Sequence, residues 1–222
     1  MRAAAFAAFA VLFAAGTTLA QGTGTAPPVT AAKAGSQAAA AEKAWSFSAA
    51  ASTYVLPDEP NYVQPAATAD HDWLHLEGRF NYEDRDTGSA WFGYNFSVGD
   101  RLTFEFTPMV GAVFGNTTGV APVYRGSMAR GVLQLYSETE FVFEADDSAD
   151  NFLYTWSEFE VAPVDWCRFG LVVQRTKAYK TEFDIQRGFF AGASFKGVDA
   201  TVYVFNPDAG RPTVVVAFGV SF

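Results

Sequence analysis

Apolar and polar residues alternate with a period of two from Trp45 to Phe222, and clusters of Gly, Asp, Asn and Pro repeatedly interrupt the pattern. The clearest segment places Leu102, Phe104, Phe106, Pro108, Val110, Ala112 and Phe114 on one face and Thr103, Glu105, Thr107, Met109 and Gly111 on the other. Successive side chains of a β-strand point to opposite faces, so the pattern predicts strands that each have one apolar face. No comparable window has a helical period, and the predicted fold class is therefore all-β.

The interruptions divide this region into twelve predicted strands. Their approximate bounds are 45–55, 61–69, 72–83, 89–98, 101–114, 122–129, 132–145, 151–162, 166–178, 182–195, 198–206 and 212–222. Segment 61–69 is the weakest, because it contains Pro65 and a proline normally demotes a strand. Ten or fourteen strands are the alternatives.

The composition indicates that the apolar faces meet lipid. Of the 222 residues, 50% are hydrophobic and 16% are aromatic, and Phe alone contributes 22. After the N-terminal segment, no stretch approaches the roughly 18 uncharged apolar residues of a membrane-spanning helix. A transmembrane antiparallel β-barrel instead needs an apolar outer band with aromatic girdles at both membrane surfaces, which accounts for the aromatic content. The single Cys167 excludes an intramolecular disulfide.

Two segments precede the first strand. Residues 1–20 combine Arg2, an apolar run and a small-residue ending, which predicts an export signal cleaved after Ala20. Residues 21–44 consist mainly of Ala, Gly, Thr, Pro and Gln, which predicts a flexible tail. The predicted organisation is therefore a signal peptide (1–20), a periplasmic tail (21–44) and a transmembrane β-barrel (45–222).

The last strand resembles the C-terminal assembly signal of bacterial outer-membrane proteins. Its alternating apolar residues end on an aromatic one: Val214, Val216, Phe218, Val220 and Phe222. Residues 45–222 as a whole resemble the porin-like superfamily of outer-membrane β-barrels. The resemblance implies recognition by the barrel-assembly machinery, contact with membrane lipid and lipopolysaccharide, and localisation in the outer membrane of a Gram-negative-type bacterium. It also implies an even number of strands with both termini in the periplasm, which favours keeping segment 61–69 as a strand.

The connections sort into two groups on this topology. Those near 70–71, 99–100, 130–131, 163–165 and 196–197 are tight and are predicted to face the periplasm. The others are mostly longer and more polar, as external loops are. They are still short, so no external loop is expected to plug the lumen.

Charge and residue content argue against several classes of function. Three of the 15 basic and one of the 24 acidic residues precede position 45, so the barrel region has a net charge of −11 and should repel nucleic acid. His71 and His75 match neither histidine arrangement of the outer-membrane hydrolases, so no enzyme activity, catalytic residue, cofactor or metal centre is predicted. One external loop carries Glu144, Asp146, Asp147 and Asp150; it is either a solvated acidic loop or a place where divalent ions bridge to lipopolysaccharide phosphates.

Charged residues on the polar strand faces are the candidate functional residues. The predicted lumen-lining set is Glu77, Arg79, Glu105, Arg125, Glu138, Glu140, Glu158, Glu160 and Arg168. A symmetric hairpin at 146–150 would pair Glu138 with Glu158, two like charges that need compensation from Arg125 or Arg168.

Two interpretations of these residues remain open. In one, they form a water-lean network of ion pairs that rigidifies a narrow barrel. In the other, an acidic excess lines an aqueous passage for cations or small polar solutes. The leading prediction is a narrow passive channel or transporter. The alternative is a non-conducting structural or interaction barrel that contacts lipopolysaccharide or other envelope components.

Overall fold

The computed structural model describes residues 44–57, 59–145, 151–178 and 184–222, which form one closed antiparallel β-barrel. Its strands are β1 (Ser46–Val55), β2 (Tyr62–His71), β3 (Leu74–Phe80), β4 (Thr87–Tyr94), β5 (Phe96–Val98), β6 (Thr103–Gly115), β7 (Gly119–Arg130), β8 (Leu133–Glu144), β9 (Phe152–Val164), β10 (Cys167–Ala178), β11 (Asp184–Phe195), β12 (Val198–Phe205) and β13 (Thr213–Ser221). Neighbouring strands pair in chain order, and β13 pairs with β1 to close the ring.

The short β5 lies in line with β4 and does not add a strand to the ring. Gly93 pairs with Met109 and Phe96 pairs with Phe106, so both strands follow β6 in one register. Pro108 falls between these pairs and has no N–H group to donate to the ladder, which accounts for the break. The ring therefore contains twelve strands, and the predicted fold class and strand number are confirmed.

The predicted strand that contains Pro65 is also present. Pro65 pairs with Ala51 of β1, whereas the ladder between β2 and β3 begins one residue later, at Ala66. The proline therefore needs a ladder partner on one side only, which is the position that a strand tolerates best.

Some predictions fall where the structure describes nothing. The predicted signal peptide and the predicted tail up to residue 43 lie outside the described residues, and so do Asp146, Asp147 and Asp150. Among the residues that are described, no helix is long and apolar enough to cross a membrane.

Alternate residues of each strand point to the outside and to the interior of the barrel, as the sequence pattern predicts. On β6, Val110 and Phe114 are more than half exposed on the outside, whereas Met109 and Val113 are buried inside. Gly111 faces Trp91 across the ladder, and the absence of a side chain there lets the indole ring lie flat against the inner wall. We name the two rims by their predicted orientation: the rim that carries both ends of the ring is the periplasmic rim, and the opposite one is the external rim. At the periplasmic rim, the exposed aromatic residues include Trp45, Trp73, Trp166, Phe195 and Phe222, as an interfacial girdle requires.

One external connection enters the barrel, contrary to the sequence-based expectation. Strand β3 ends at Phe80 instead of residue 83, because Asn81 adopts a φ of 61° and begins a turn. The backbone N–H of Asn81 donates to the Thr87 carbonyl, and the Asn81 side chain accepts from the Asp86 N–H. Tyr82 is therefore buried in the interior together with Glu83.

The outer face gives the first testable prediction. Val110 lies near the middle of β6, so Val110→Arg should destabilise the barrel by about 2–4 kcal/mol, as expected for a cation near the membrane midplane. Phe104→Arg, on the same face but near the periplasmic end of β6, should cost only about 0–1 kcal/mol. Urea unfolding in lipid vesicles measures both values. Equal costs would show that the assigned depth is wrong.

Candidate functional site

The barrel interior is crossed by a cluster of ion pairs centred on Arg79. The Arg79 Nε donates to Glu77 Oε1 at 2.7 Å on its own strand, and its terminal nitrogens lie 3.0 Å from Glu138 Oε1 and 3.3 Å from Glu140 Oε2 on β8. Strands β3 and β8 are not neighbours in the sheet, so these contacts pass across the interior. The Arg79 side chain is only 2% exposed. We refer to Glu77, Arg79, Arg125, Glu138 and Glu140 as the Arg79 cluster.

Arg125 provides the second cation of this cluster. Its Nε donates to Glu138 Oε2 at 2.8 Å, and its Nη2 donates to Glu77 Oε2 at 2.9 Å. Arg125 and Glu138 are direct cross-strand partners on β7 and β8. Tyr136 adds a hydrogen bond from its hydroxyl to Glu138 at 3.0 Å. Both guanidinium groups are thus held between carboxylates, the arrangement in which hydrogen bonds are strongest.

A histidine extends the cluster toward the periplasmic rim. His75 Nδ1 lies 2.7 Å from Asp70 Oδ1, and its Nε2 lies 3.0 Å from Glu77 Oε2. Both ring nitrogens face carboxylate oxygens, so the imidazolium form, which donates from both, satisfies the geometry. Asn95 donates a further hydrogen bond to Asp70 at 2.8 Å. His75 is therefore an interior side chain whose two ring nitrogens both have carboxylate partners.

Glu83 reaches the same region from the loop between β3 and β4. The Ser89 hydroxyl donates to Glu83 Oε1 at 2.7 Å and accepts from the Trp91 indole N–H at 2.9 Å. The Arg79 guanidinium carbon lies 4.8 Å from the centre of the Trp91 ring, a cation–π contact. Burial raises the pKa of the Glu83 carboxyl, and the nearby Arg79 charge only partly offsets that rise.

A separate charged group lies at the periplasmic end of β10 to β12. Arg168 binds both oxygens of Asp199 and contacts Thr201, and its Nε lies 3.4 Å from Glu160 Oε2. The Ser194 hydroxyl also donates to Asp199, at 2.6 Å. The charged side chains of this group are 14–18% exposed, whereas those of the Arg79 cluster other than Arg125 are at most 4% exposed.

Aromatic side chains fill the interior toward the external loops. The buried rings there are those of Tyr54, Tyr154, Trp156, Phe190, Tyr203 and Phe205, which we call the aromatic cluster. The Trp156 ring meets Tyr203 and Phe205 edge-on, with ring centres 5.3 and 5.4 Å away. Glu158 lies among these rings and accepts from the Trp156 N–H at 2.8 Å.

Small residues line part of the interior near the periplasmic rim. The inward positions of β1, β2 and β13 toward the periplasmic rim hold Ser48, Ala50, Ala66, Thr68, Ala217 and Gly219, which we call the small-residue wall. The Ser48 and Thr68 hydroxyls hydrogen-bond each other at 2.6 Å. Ala66 and Ala217 pack against the aromatic cluster, and the small side chains of the wall itself take up little of the interior.

The predicted interior residues separate into three places. Glu77, Arg79, Arg125, Glu138 and Glu140 meet in the Arg79 cluster, Glu160 and Arg168 meet near Asp199, and Glu158 lies in the aromatic cluster. Glu105 joins none of them: it is exposed at the periplasmic end of β6, where it accepts from the Ser127 hydroxyl at 3.1 Å.

The predicted pairing of Glu138 with Glu158 is wrong by two residues. Glu138 pairs with Trp156, and Tyr136 pairs with Glu158. The hairpin is shifted because Asn151 uses its side chain to accept the Glu144 N–H at 2.8 Å, which ends the ladder at Val142 and Phe152. A shift of two preserves which face each residue occupies. The like charges therefore do not oppose each other, and Arg125 lies directly opposite Glu138.

Three described interior residues with charged side chains, Asp70, Glu83 and Asp199, do not belong to the predicted lumen-lining set. Asp199 could have been found, because it alternates with Thr201 and Tyr203 on the inner face of β12. Asp70 likewise alternates with Thr68 on β2. Glu83 carried no such signal, because its inward position depends on the turn that begins at Asn81.

Comparison with known proteins identifies the fold. No protein-family model matches this sequence, and no curated protein matches it either. The KdgM porin has a similar structure, with a TM-score of 0.57 at 12% sequence identity, over 79% of this chain and 99% of that chain. The KdgM porin in complex with disordered oligogalacturonate gives a TM-score of 0.55 at 12% identity, over 80% and 99% of the two chains. These similarities show the fold: the chain forms a β-barrel similar to that of the KdgM porin.

Proposed function

We propose that this barrel is a narrow passive channel for cations or small polar neutral solutes. The proposal rests on one observation: buried acidic side chains outnumber the basic ones among them in the interior. The described interior buries the carboxyl groups of Glu77, Glu83, Glu138, Glu140 and Glu158, whereas the guanidinium groups among them are those of Arg79 and Arg125. An excess of carboxyl groups produces a negative potential, which attracts cations and repels anions.

This charge argues for a solute class different from that of the structurally similar porin. The KdgM porin is known in complex with an oligogalacturonate. Each galacturonate unit carries a carboxylate, so an acidic lumen would repel such a chain. We therefore expect this barrel to disfavour acidic oligosaccharides.

The proposed passage follows the small-residue wall. Eight strands enclose a filled interior and sixteen an open channel, so a ring of twelve strands leaves an intermediate width. The Arg79 cluster and the aromatic cluster occupy much of that width. Small side chains such as Ala50 and Gly219 leave the remaining space beside them, which is why we expect a low conductance.

One observation favours the alternative, a non-conducting structural or interaction barrel. Trp156 has no exposed surface, and Arg79 is bound on three sides by carboxylates. A barrel closed by these side chains would act through its external loops, and lipopolysaccharide or other envelope components would be its partners. In that case the charged interior would serve to rigidify the fold.

Substitution of two interior acids tests the proposed selectivity. The double variant Glu138→Gln/Glu158→Gln removes two negative charges and nearly preserves volume. The reversal potential under a salt gradient should then move away from the cation equilibrium potential, most clearly at low salt, where screening is weakest. Recordings in planar bilayers measure this shift. Folding of the variant is checked by its heat-modifiable migration on gels.

A matched control removes one carboxylate outside the lumen. Asp208 is exposed on an external loop and bonded to Arg187, so Asp208→Asn should leave the reversal potential nearly unchanged. A conducting wild type whose selectivity is the same in the double variant would refute the role assigned to the interior acids.

A further inference from the structure

Two buried carboxyl groups beside Arg79 each keep one oxygen without a hydrogen-bond partner among the described residues. These atoms are Glu83 Oε2 and Glu140 Oε1. The other oxygen of Glu83 accepts from Ser89, and the other oxygen of Glu140 contacts Arg79. Both residues are at most 3% exposed. An unpaired carboxylate oxygen in such a place is costly, so it requires an explanation.

The two groups flank a single guanidinium. Ser89, which binds Glu83, is the cross-strand partner of Arg79, and Glu140 lies 3.3 Å from the Arg79 Nη1. The Trp91 indole N–H donates to Ser89, and the Trp91 ring lies under the Arg79 guanidinium, so Glu83 and its partner Ser89 lie beside Arg79 as Glu140 does. Glu83 comes from an external loop and Glu140 from the part of β8 nearest that rim, so both lie on the external side of the cluster.

The charges of this region do not balance. The carboxylates of Glu77, Glu83, Glu138 and Glu140 face two guanidinium groups, those of Arg79 and Arg125. An imidazolium at His75 adds one positive charge but shares it with a fifth carboxylate, that of Asp70. Net negative charge in a poorly hydrated interior is strongly unfavourable, so the region must acquire positive charge.

We infer that Glu83 and Glu140 form a binding site for one small monovalent cation, a proton or a sodium ion, inside the barrel. This inference rests on the proposed function in one respect: the site would lie beside the proposed passage for cations. Calcium takes 6–8 oxygen ligands, and the described residues contain no group of three or more His, Cys, Asp or Glu that could hold a metal ion. Two open carboxylate oxygens suit a proton or a singly charged ion.

The site links stability to pH with a defined sign. Because burial raises the pKa of the Glu83 carboxyl, the folded protein keeps a proton that the unfolded chain releases above about pH 4.3. The associated stability is complete below that pH and is lost as the pH rises through the raised value. A sodium ion that occupies the deprotonated site restores stability at high pH.

Thermal unfolding of the refolded, detergent-solubilised full chain tests the site without requiring ion flow. At equal ionic strength, the wild-type Tm at about pH 9 should be higher in sodium chloride than in N-methylglucamine chloride, and the difference should vanish at about pH 4. Glu83→Gln and Glu140→Gln should each abolish the sodium effect and reduce the loss of stability with rising pH. Glu105→Gln, which removes an inward but exposed carboxylate, should retain both dependences.

The outcomes separate this inference from the channel. A pH effect that Glu83→Gln removes, with no sodium effect, identifies the ligand as a proton. Two results together would overturn the site, even if the barrel conducts. The first is a wild-type Tm that sodium does not change. The second is that the Tm of the wild type and of both Gln variants changes with pH in the same way. A sodium-stabilised barrel that does not conduct keeps the site and refutes the channel. If one Gln variant fails to fold, the other provides the comparison.

Discussion

Deletion of Phe222 should prevent most of the protein from reaching the outer membrane as a folded barrel. The Phe222 N–H donates to the Phe47 carbonyl at 3.0 Å, and the Phe47 N–H donates to the Phe222 carbonyl at 2.9 Å. These bonds close the seam between β13 and β1, and the two rings stack with centres 5.9 Å apart. Two seam hydrogen bonds contribute about 1–3 kcal/mol together. Loss of the expected recognition by the barrel-assembly machinery adds a kinetic defect.

Two further variants separate these contributions. Phe222→Asp keeps the backbone bonds but replaces the aromatic ring with a charge, and it should still impair insertion. Deletion of residues 21–40, by contrast, should leave insertion intact. Membrane fractionation with heat-modifiability on gels reports the folded fraction. Normal amounts of folded barrel in the Phe222 deletion would contradict the assigned role of this residue.

Arg79→Met should destabilise the folded barrel by about 3–5 kcal/mol, the usual cost of leaving buried charges without their partner. The substitution removes the ion pairs to Glu77, Glu138 and Glu140 and keeps an apolar side chain in place of the arginine stem. Urea unfolding in lipid vesicles measures the change in the free energy of unfolding.

Arg85→Met is the matched control for that measurement. Arg85 pairs with Glu59 at 3.2 Å on the external rim, where the two side chains are 39% and 44% exposed. Exposed pairs contribute at most about 1 kcal/mol, so this variant should unfold nearly like the wild type. A cost for Arg79→Met as small as that for Arg85→Met would mean that water surrounds the Arg79 cluster, and the interior would be hydrated instead of packed.

The architecture was predictable because strand facing follows from a period of two. Val110 and Met109, one residue apart, occupy opposite faces, and the same reasoning placed Glu138 and Glu140 inside. The register of the hairpin formed by β8 and β9 was not predicted correctly. The side chain of Asn151 replaces a backbone hydrogen-bond partner and shifts the pairing by two residues. The error does not change which side chains face the interior, because a shift of two residues leaves each side chain on the same face of its strand.

Contacts across the interior could not be predicted from the alternation. The pairing of Arg79 with Glu138 joins strands that are not adjacent, so it depends on the diameter of the closed ring and on side-chain conformation. The burial of Tyr82 and Glu83 depends on the positive φ of Asn81, a turn that an alternating pattern does not encode. Sequence therefore predicts which residues face inward, and the three-dimensional structure is needed to show which of them meet.

Single-channel recording of the wild-type barrel in planar bilayers tests the proposed function most directly. The narrow, acidic interior predicts small discrete current steps, with a reversal potential displaced toward the cation equilibrium potential under a salt gradient. The displacement should grow as the salt concentration falls, because screening then weakens. Correctly folded, heat-modifiable protein that gives no current steps, or steps that favour anions, would contradict the proposal.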